Sequence, residues 1–143
     1  MSKFKSTYKE ISTPRNEVYC KLQNTESFKS LLNNIPDDIK SQMGEITMQG
    51  NTITINAKPV GELSFHMEKG EENKRLRLVS EKSPLPLSID IILEDGATEG
   101  TTMEYVEVSL DLNPILTTMV SKPLQEACEK FADVIAKIPY DRI

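Results

Sequence analysis

The end of the chain carries a long amphipathic pattern, from Asn113 to Ile138, that constrains the fold more than any other feature. Its apolar residues recur at intervals of three or four positions, which is the period of an α-helix; they are Leu116, Val120, Leu124, Ala127, Phe131, Ile135 and Ile138. At about 1.5 Å per residue, a helix of this length spans on the order of 37 Å. Such a helix is long enough to cover the apolar face of a whole sheet.

A proline inside this pattern interrupts the prediction of one regular helix. Pro123 has no amide hydrogen to donate and its ring presses on the preceding turn, so we expect a kink or break near Ser121-Lys122. One interpretation is that Asn113 to Lys122 forms a loop or short turn and that the continuous helix begins at Pro123. The other is a hinge at this point, which would let the first part move over a cavity mouth.

The opening segment, from Phe4 to Ile11, alternates as a strand does. Strict alternation puts Phe4, Ser6 and Tyr8 on the apolar face and puts Lys9 on the wet face. Two short helices are predicted next. Thr13 is expected to cap the first helix and Pro14 to open it, with Val18, Tyr19 and Leu22 buried up to about Asn24. The second runs from Thr25 to Pro36.

The middle of the chain has a period of two, which indicates β-strands. Six strands follow one another at hairpin spacing, centred on residues 46–48, 53–55, 63–67, 76–78, 87–93 and 106–112. Short connections such as Gly50-Asn51 favour an antiparallel meander, because parallel neighbours need crossovers of a dozen or more residues. With the opening strand, the sequence predicts a seven-stranded antiparallel sheet and an α+β fold class.

Composition and charge exclude several classes of protein. A chain of 143 residues, 38% of them apolar, is long enough for one domain with a core, so we take residues 1–143 as a single domain. The net charge of −5 argues against binding to nucleic acid or to anionic membranes. No apolar run is long enough to span a membrane and no signal peptide is visible, which predicts a cytoplasmic protein without integral membrane association.

The order of these elements resembles the helix-grip fold of the Bet v 1-like and START-like superfamily, which includes the polyketide cyclase-like (SRPBCC) proteins. Three patterns carry the resemblance. The opening strand runs into STPRNEVY (Ser12–Tyr19), Asn113-Pro114 begins the last helix, and LQEACEKFA (Leu124–Ala132) forms its later part. The resemblance implies a curved seven-stranded antiparallel sheet wrapped around a long C-terminal helix, with two short helices between strands 1 and 2.

A sheet curved around one helix tends to leave a hollow between its concave face and that helix. The resemblance implies that such a hollow commonly takes lipids, polyketides or other apolar molecules. The expected lining is almost wholly apolar, with Tyr8 as a polar end; it consists of Tyr8, Ile55, Leu63, Phe65, Met67, Leu78, Ile89, Ile91, Val106, Val108, Met119, Val120, Leu124, Cys128 and Phe131. The same residues could instead interdigitate and leave no cavity.

Few residues could carry chemistry. One histidine and two isolated cysteines do not form a metal-ligand pattern, so no metal or cofactor is predicted. Alternation puts His66 on the polar face, away from the interior. Cys20 and Cys128 are interpreted as reduced, packed thiols on helices. Carboxylates on strands whose other face is apolar are expected to point outward; these are Asp90, Glu107 and Asp111.

Three functional hypotheses follow. The leading one is a non-enzymatic binder or carrier of a hydrophobic small molecule, lipid-like or polyketide-like, in the cavity between sheet and C-terminal helix. The second is a cyclase-like or other small-molecule enzyme, which would need acid or base groups inside the sheet. The third is a module with a solid core that binds a protein partner.

Overall fold

The computed structural model describes residues 2–24, 26, 29–30, 45–49, 52–57, 61–81, 87–110, 114–137 and 140. The elements are β1 (Ser2–Lys5), β2 (Lys9–Ile11), α1 (Arg15–Gln23), β3 (Glu45–Gln49), β4 (Thr52–Ala57), β5 (Gly61–Lys69), β6 (Arg75–Glu81), β7 (Leu87–Asp95), β8 (Thr102–Leu110) and α2 (Pro114–Lys137). The predicted second short helix, from Thr25 to Pro36, lies largely outside the described residues, as do Asp111 and Leu112.

The strands form one curved antiparallel sheet in the order β1-β8-β7-β6-β5-β4-β3. Consecutive strands from β3 to β8 are neighbours because their connections are short. β1 and β2 both pair with β8, so they are two halves of the single opening strand that the sequence predicts. The seven-stranded α+β helix-grip fold predicted from the sequence is therefore confirmed.

The opening strand is divided by a β-bulge. Lys5 pairs with Glu107 and Lys9 pairs with Glu104, so three residues of the opening strand face two residues of β8. Ser6 makes two hydrogen bonds to β8 across the bulge. Its amide donates to the carbonyl of Val106 at 2.8 Å, and its Oγ accepts the amide hydrogen of Val106 at 2.9 Å. One serine thus supplies both hydrogen bonds that hold the extra residue in place.

The bulge reverses which face each later residue of the strand occupies, because side chains alternate with a period of two. Tyr8 lies on the convex outer face, where it is 52% exposed. Its ring meets the ring of Tyr105 edge-on at 4.9 Å, and its hydroxyl donates to Glu94 at 3.1 Å. The predicted position of Tyr8 inside the cavity is therefore wrong. So is the prediction that Lys9 lies on the wet face, since Lys9 points toward α2.

The first helix buries the stripe that the sequence predicts. Val18, Tyr19 and Leu22 are buried where α1 packs on β6 and β7. The start of the helix differs from the prediction, because Pro14 is the N-cap and no side chain caps the helix. The role of Thr13 lies in its carbonyl, which accepts a hydrogen bond from the Thr102 hydroxyl at 2.7 Å.

The long C-terminal helix begins at Pro114, not at Pro123. Proline suits the first helical position because its fixed dihedral matches the helix and its missing amide has no partner to lose there. The prediction of a loop before Pro123 is therefore wrong. The helix is bent, and it continues through Pro123 without a break. Hydroxyls of the early turns donate to the helix's own carbonyls, Thr118 to Pro114 at 2.9 Å and Ser121 to Thr118 at 3.0 Å.

Part of the surface of the early turns of α2 faces solvent. Ile115 is 76% exposed and Met119 is 71% exposed, whereas Leu124, Cys128 and Phe131 farther along are buried. The expectation that Met119 faces the sheet is therefore wrong. The helix makes its main sheet contacts with β1, β2 and β8, the strands at one end of the sheet.

Replacement of Ser6 tests the energetic role of the bulge. In Ser6→Ala the amide of Val106 stays buried but loses its acceptor, so we expect the free energy of unfolding to fall by about 1–2 kcal/mol. Urea denaturation measures the change. Ser12→Ala, an exposed serine on the same segment, is the matched control and should be nearly neutral. Equal stability of the two variants would contradict this account of the bulge.

Candidate functional site: the interior between sheet and helix

The apolar residues predicted to line a cavity lie together on the concave face and on the inner side of α2. One buried cluster contains Phe65, Leu78, Ile89, Ile91, Val106, Val108, Leu124, Cys128 and Phe131, with Met67 partly buried against it. The side chains of Ile55, Leu63 and Val120 lie outside the described part of the structure. The structure thus brings most of the predicted lining together, while its contact with a ligand stays a prediction.

Polar contacts dock α2 onto the bulge. The Gln125 side-chain amide donates to the carbonyl of Lys5 at 2.6 Å. The Glu129 carboxylate accepts from the amide and hydroxyl of Thr7, at 2.6 and 3.0 Å. The Cys128 thiol donates to the Val106 carbonyl at 3.0 Å. The break in the sheet ladder leaves backbone groups without strand partners, and the helix supplies the partners for them.

Glu104 is a carboxyl group inside the fold that the sequence analysis missed. It lies on β8 two residues before Val106, on the same interior face, and its exposed fraction is 0%. Neither of its carboxyl oxygens has a hydrogen-bond partner among the described residues. Alternation along β8 places Val106, Val108 and Leu110 inside. The same alternation, continued two residues toward the N-terminus, predicts that Glu104 is inside as well.

Burial is the main reason that Glu104 is protonated at neutral pH, because a charged carboxylate loses its hydration inside the protein. Its pKa is raised to about 9. The ammonium of Lys9 acts in the opposite direction, but it is shared with two acids of α2, Glu129 at 3.2 Å and Asp133 at 3.1 Å. We call these three residues the Lys9 cluster. The negative charges of Glu129 and Asp133 further favour the neutral acid.

The cysteines have different surroundings. Both are free and lie on helices, but Cys20 is exposed, so the prediction that it is packed is wrong. Cys128 is buried next to the bulge. Burial above all, and then the charge of Glu129, raises the pKa of Cys128 to about 12. A thiol with this pKa is almost entirely protonated at neutral pH, which makes it a poor nucleophile.

The convex face carries two of the three acids that were predicted to point outward. Asp90 and Glu107 are adjacent in register on β7 and β8. Both are buried beneath cations, since Arg77 contacts Asp90 at 2.9 Å and Lys5 contacts Glu107 at 3.5 Å. These two carboxylates therefore have charged partners on the outer face, which Glu104 lacks on the inner face.

His66 also lies on the convex face, as predicted. Its Nε2 is 3.0 Å from Glu68 and its Nδ1 is 2.9 Å from Glu81. The hydrogen bond with Glu68, assisted by the charge of Glu81, raises the pKa of His66 above its ordinary value. The imidazole is separated by the sheet from the interior acid Glu104, so the two cannot act together on one molecule.

A concavity of about 290 Å³ opens at the surface beside α1. It is lined by Arg15, Glu71, Lys74, Arg75, Ile92, Leu93, Glu94 and Asp95. Its charges compensate one another, with Arg15 and Asp95 at 3.5 Å and Lys74 and Glu71 at 3.9 Å. Because acids and bases are balanced, the groove offers no surplus of either charge to a ligand.

Two further properties concern only the described residues. Their histidine, cysteine, aspartate and glutamate side chains include no group of three placed to hold a metal ion. None of the helices that they form combines the length and the apolar character needed to cross a membrane.

The buried acid predicts a pH dependence of stability. Since Glu104 holds its proton to about pH 9 when folded, against an ordinary value of 4.5, the folded state binds more protons between these limits. Stability from this residue is therefore present below pH 4.5 and is lost as pH rises to about 9. Relative to Glu104→Gln, we expect the wild type to lose a few kcal/mol of unfolding free energy over this range.

Urea denaturation of both proteins at several pH values measures this difference. Glu10→Gln changes an exposed glutamate on the neighbouring strand and serves as the control, for which the difference from wild type should stay flat. A flat difference for Glu104→Gln as well would show that Glu104 is not protonated in the folded protein.

Comparison with known proteins bears on the fold alone. No protein-family model matches the chain, and no curated protein matches it by sequence. Among solved structures, norcoclaurine synthase from Thalictrum flavum, in complex with dopamine and hydroxybenzaldehyde, is similar with a TM-score of 0.66 at 12% identity, over 95% of this chain and 84% of that chain.

Two bacterial proteins are similar over nearly their whole length. A protein from Thermobifida fusca gives a TM-score of 0.64 at 13% identity, over 99% of this chain and 95% of that one. A protein from Thermus thermophilus gives a TM-score of 0.63 at 14% identity, over 95% of both chains. With norcoclaurine synthase, a Bet v 1-like protein, among its structural neighbours, the chain has the helix-grip fold of the Bet v 1-like proteins.

Proposed function

We propose that the protein binds a hydrophobic small molecule, lipid-like or polyketide-like, between the concave face of the sheet and α2, without catalysing a reaction. The observation that carries the proposal is the apolar character of both surfaces. Phe65, Leu78 and Ile91 on the sheet belong to the same buried cluster as Leu124 and Phe131 on the helix. An apolar ligand that enters between these surfaces gains free energy because its own surface leaves water.

The fold supports the proposal by analogy. Norcoclaurine synthase, which shares this architecture at a TM-score of 0.66, was crystallised in complex with two small molecules. The composition of this chain supports it as well, because it contains no tryptophan and only 6% aromatic residues. Few bulky side chains are therefore available to fill the space between a curved sheet and a helix.

A small-molecule enzyme is the second candidate, and Glu104 is the observation that favours it. A protonated carboxyl facing the interior could act as a general acid toward a bound substrate. The cysteine of the same region is a poor nucleophile and His66 lies on the other face, so Glu104 would be the acid in such a reaction. Turnover by the wild type that is lost in Glu104→Gln would identify an enzyme.

Uptake of the hydrocarbon probe diphenylhexatriene tests the proposed binding, since the probe fluoresces strongly only out of water. In Ile89→Phe the larger ring occupies space on the concave face, so we expect binding to be about 3- to 10-fold weaker. Ile92→Phe is the matched control. It makes the same substitution on the same strand at the same exposure of 7%, but on the convex face, and should bind as the wild type does.

Native mass spectrometry of the freshly purified protein provides an independent measurement, and an added mass that is absent after denaturation is the expected result. No uptake of the probe by wild type and no added mass would overturn the proposed function. Equal weakening in Ile89→Phe and Ile92→Phe would place the probe elsewhere than between sheet and helix.

A further inference from the structure

The buried carboxyl of Glu104 differs from every other buried carboxylate that the structure describes. Asp90 and Glu107 are also buried in this sheet, but each has cationic partners, Asp90 with Arg77 at 2.9 Å and Glu107 with Lys5 at 3.5 Å. Glu104 is on the interior face with both oxygens unpartnered among the described residues. A buried polar group without a partner costs about 1–3 kcal/mol, so its place in the core calls for a compensating role.

Neighbouring charges define what Glu104 can bind. The Lys9 cluster combines one ammonium with the carboxylates of Glu129 and Asp133, which leaves a net charge of −1 beside the acid. An anionic ligand head group would be repelled there. Since Lys9 already has two carboxylate partners, it is not available to neutralise such an anion. A neutral head group meets neither obstacle.

We propose that Glu104 is the polar anchor of the interior binding site, and that its carboxyl hydrogen is donated to an acceptor oxygen of a neutral, largely apolar ligand such as a ketone, ester or ether. This inference rests on the proposed function and specifies the ligand class for that site. A neutral carboxylic acid in an apolar surrounding is a strong donor because no water competes for its proton. The site therefore selects neutral carbonyl compounds over fatty-acid anions.

The protonation state of the anchor makes this selection depend on pH. The ionisable groups around Glu104 are Lys9 from β2, Cys128, Glu129 and Asp133 from α2, and Tyr140 beyond that helix. When Glu104 ionises near pH 9 it can no longer donate a hydrogen bond. Affinity for a carbonyl ligand then falls, whereas affinity for a pure hydrocarbon of the same length does not.

Three probes matched in chain length test the proposal by displacement of diphenylhexatriene: undecane, 2-undecanone and undecanoate. The quantity to compare is the ratio of ketone affinity to undecane affinity, which cancels general changes in the apolar site. We expect this ratio to be about 3- to 10-fold larger in wild type than in Glu104→Leu. The wild type should also bind the ketone more tightly than undecanoate. Glu10→Gln should match the wild type.

Infrared spectroscopy measures a signal that would not change if Glu104 had only a structural role. A hydrogen bond from an acid lowers the stretching frequency of an isotope-labelled ketone carbonyl. We expect the lowered frequency in wild type, a smaller shift in Glu104→Gln, whose amide is a weaker donor, and no shift in Glu104→Leu. Because Gln matches Glu in shape, it carries the test if the Leu variant does not fold, as judged by circular dichroism.

The outcomes separate this inference from the proposed function. If the wild type takes up neither diphenylhexatriene nor the ketone, both are overturned. If it takes up the hydrocarbon probe but the affinity ratio and the carbonyl frequency are the same with and without Glu104, only the inference is overturned. Tighter binding of undecanoate than of the ketone would likewise overturn it.

Discussion

The β-bulge at Ser6 is the feature on which the arrangement of the interior depends. One serine satisfies the backbone of Val106 twice, at 2.8 and 2.9 Å, and so stabilises an extra residue in the opening strand. The extra residue turns Tyr8 outward and Lys9 inward. It also leaves backbone groups free for α2, which binds them through Gln125 and Glu129. The position of the long helix on the sheet thus follows from a local irregularity in one strand.

The two faces of the sheet handle buried acids in different ways. On the convex face, Asp90 and Glu107 remain beneath arginine and lysine side chains that balance their charge. On the concave face, Glu104 faces an apolar core, and burial raises its pKa to about 9. The cationic partners of Asp90 and Glu107 account for the burial of these two carboxylates. Glu104 has no such partner among the described residues, and a ligand that accepts a hydrogen bond from its carboxyl group would supply one.

The long helix packs into the core through its later turns. From Leu124 onward it contributes Cys128, Phe131 and Ile135 to the core, whereas Ile115 and Met119 in its first turns are largely exposed. Pro123 precedes the packed turns, and the helix, which is bent, continues through it. The loss of one amide donor is tolerated because packing of the later turns compensates for it.

Periodicity in the sequence was enough to predict four features: the strands of the meander, the buried stripe of α1, the long final helix and the apolar lining from Phe65 to Phe131. These features are local, and each repeats along the sequence. The same alternation also places Glu104 inside. The positions of Tyr8 and Lys9 were decided by the way the opening strand pairs with β8. The bulge inserts one residue into the opening strand and so changes the face on which Tyr8 and Lys9 lie. No local pattern in the sequence marks that residue. The hydrogen bonds that stabilise it come from Val106, about a hundred positions away in the chain.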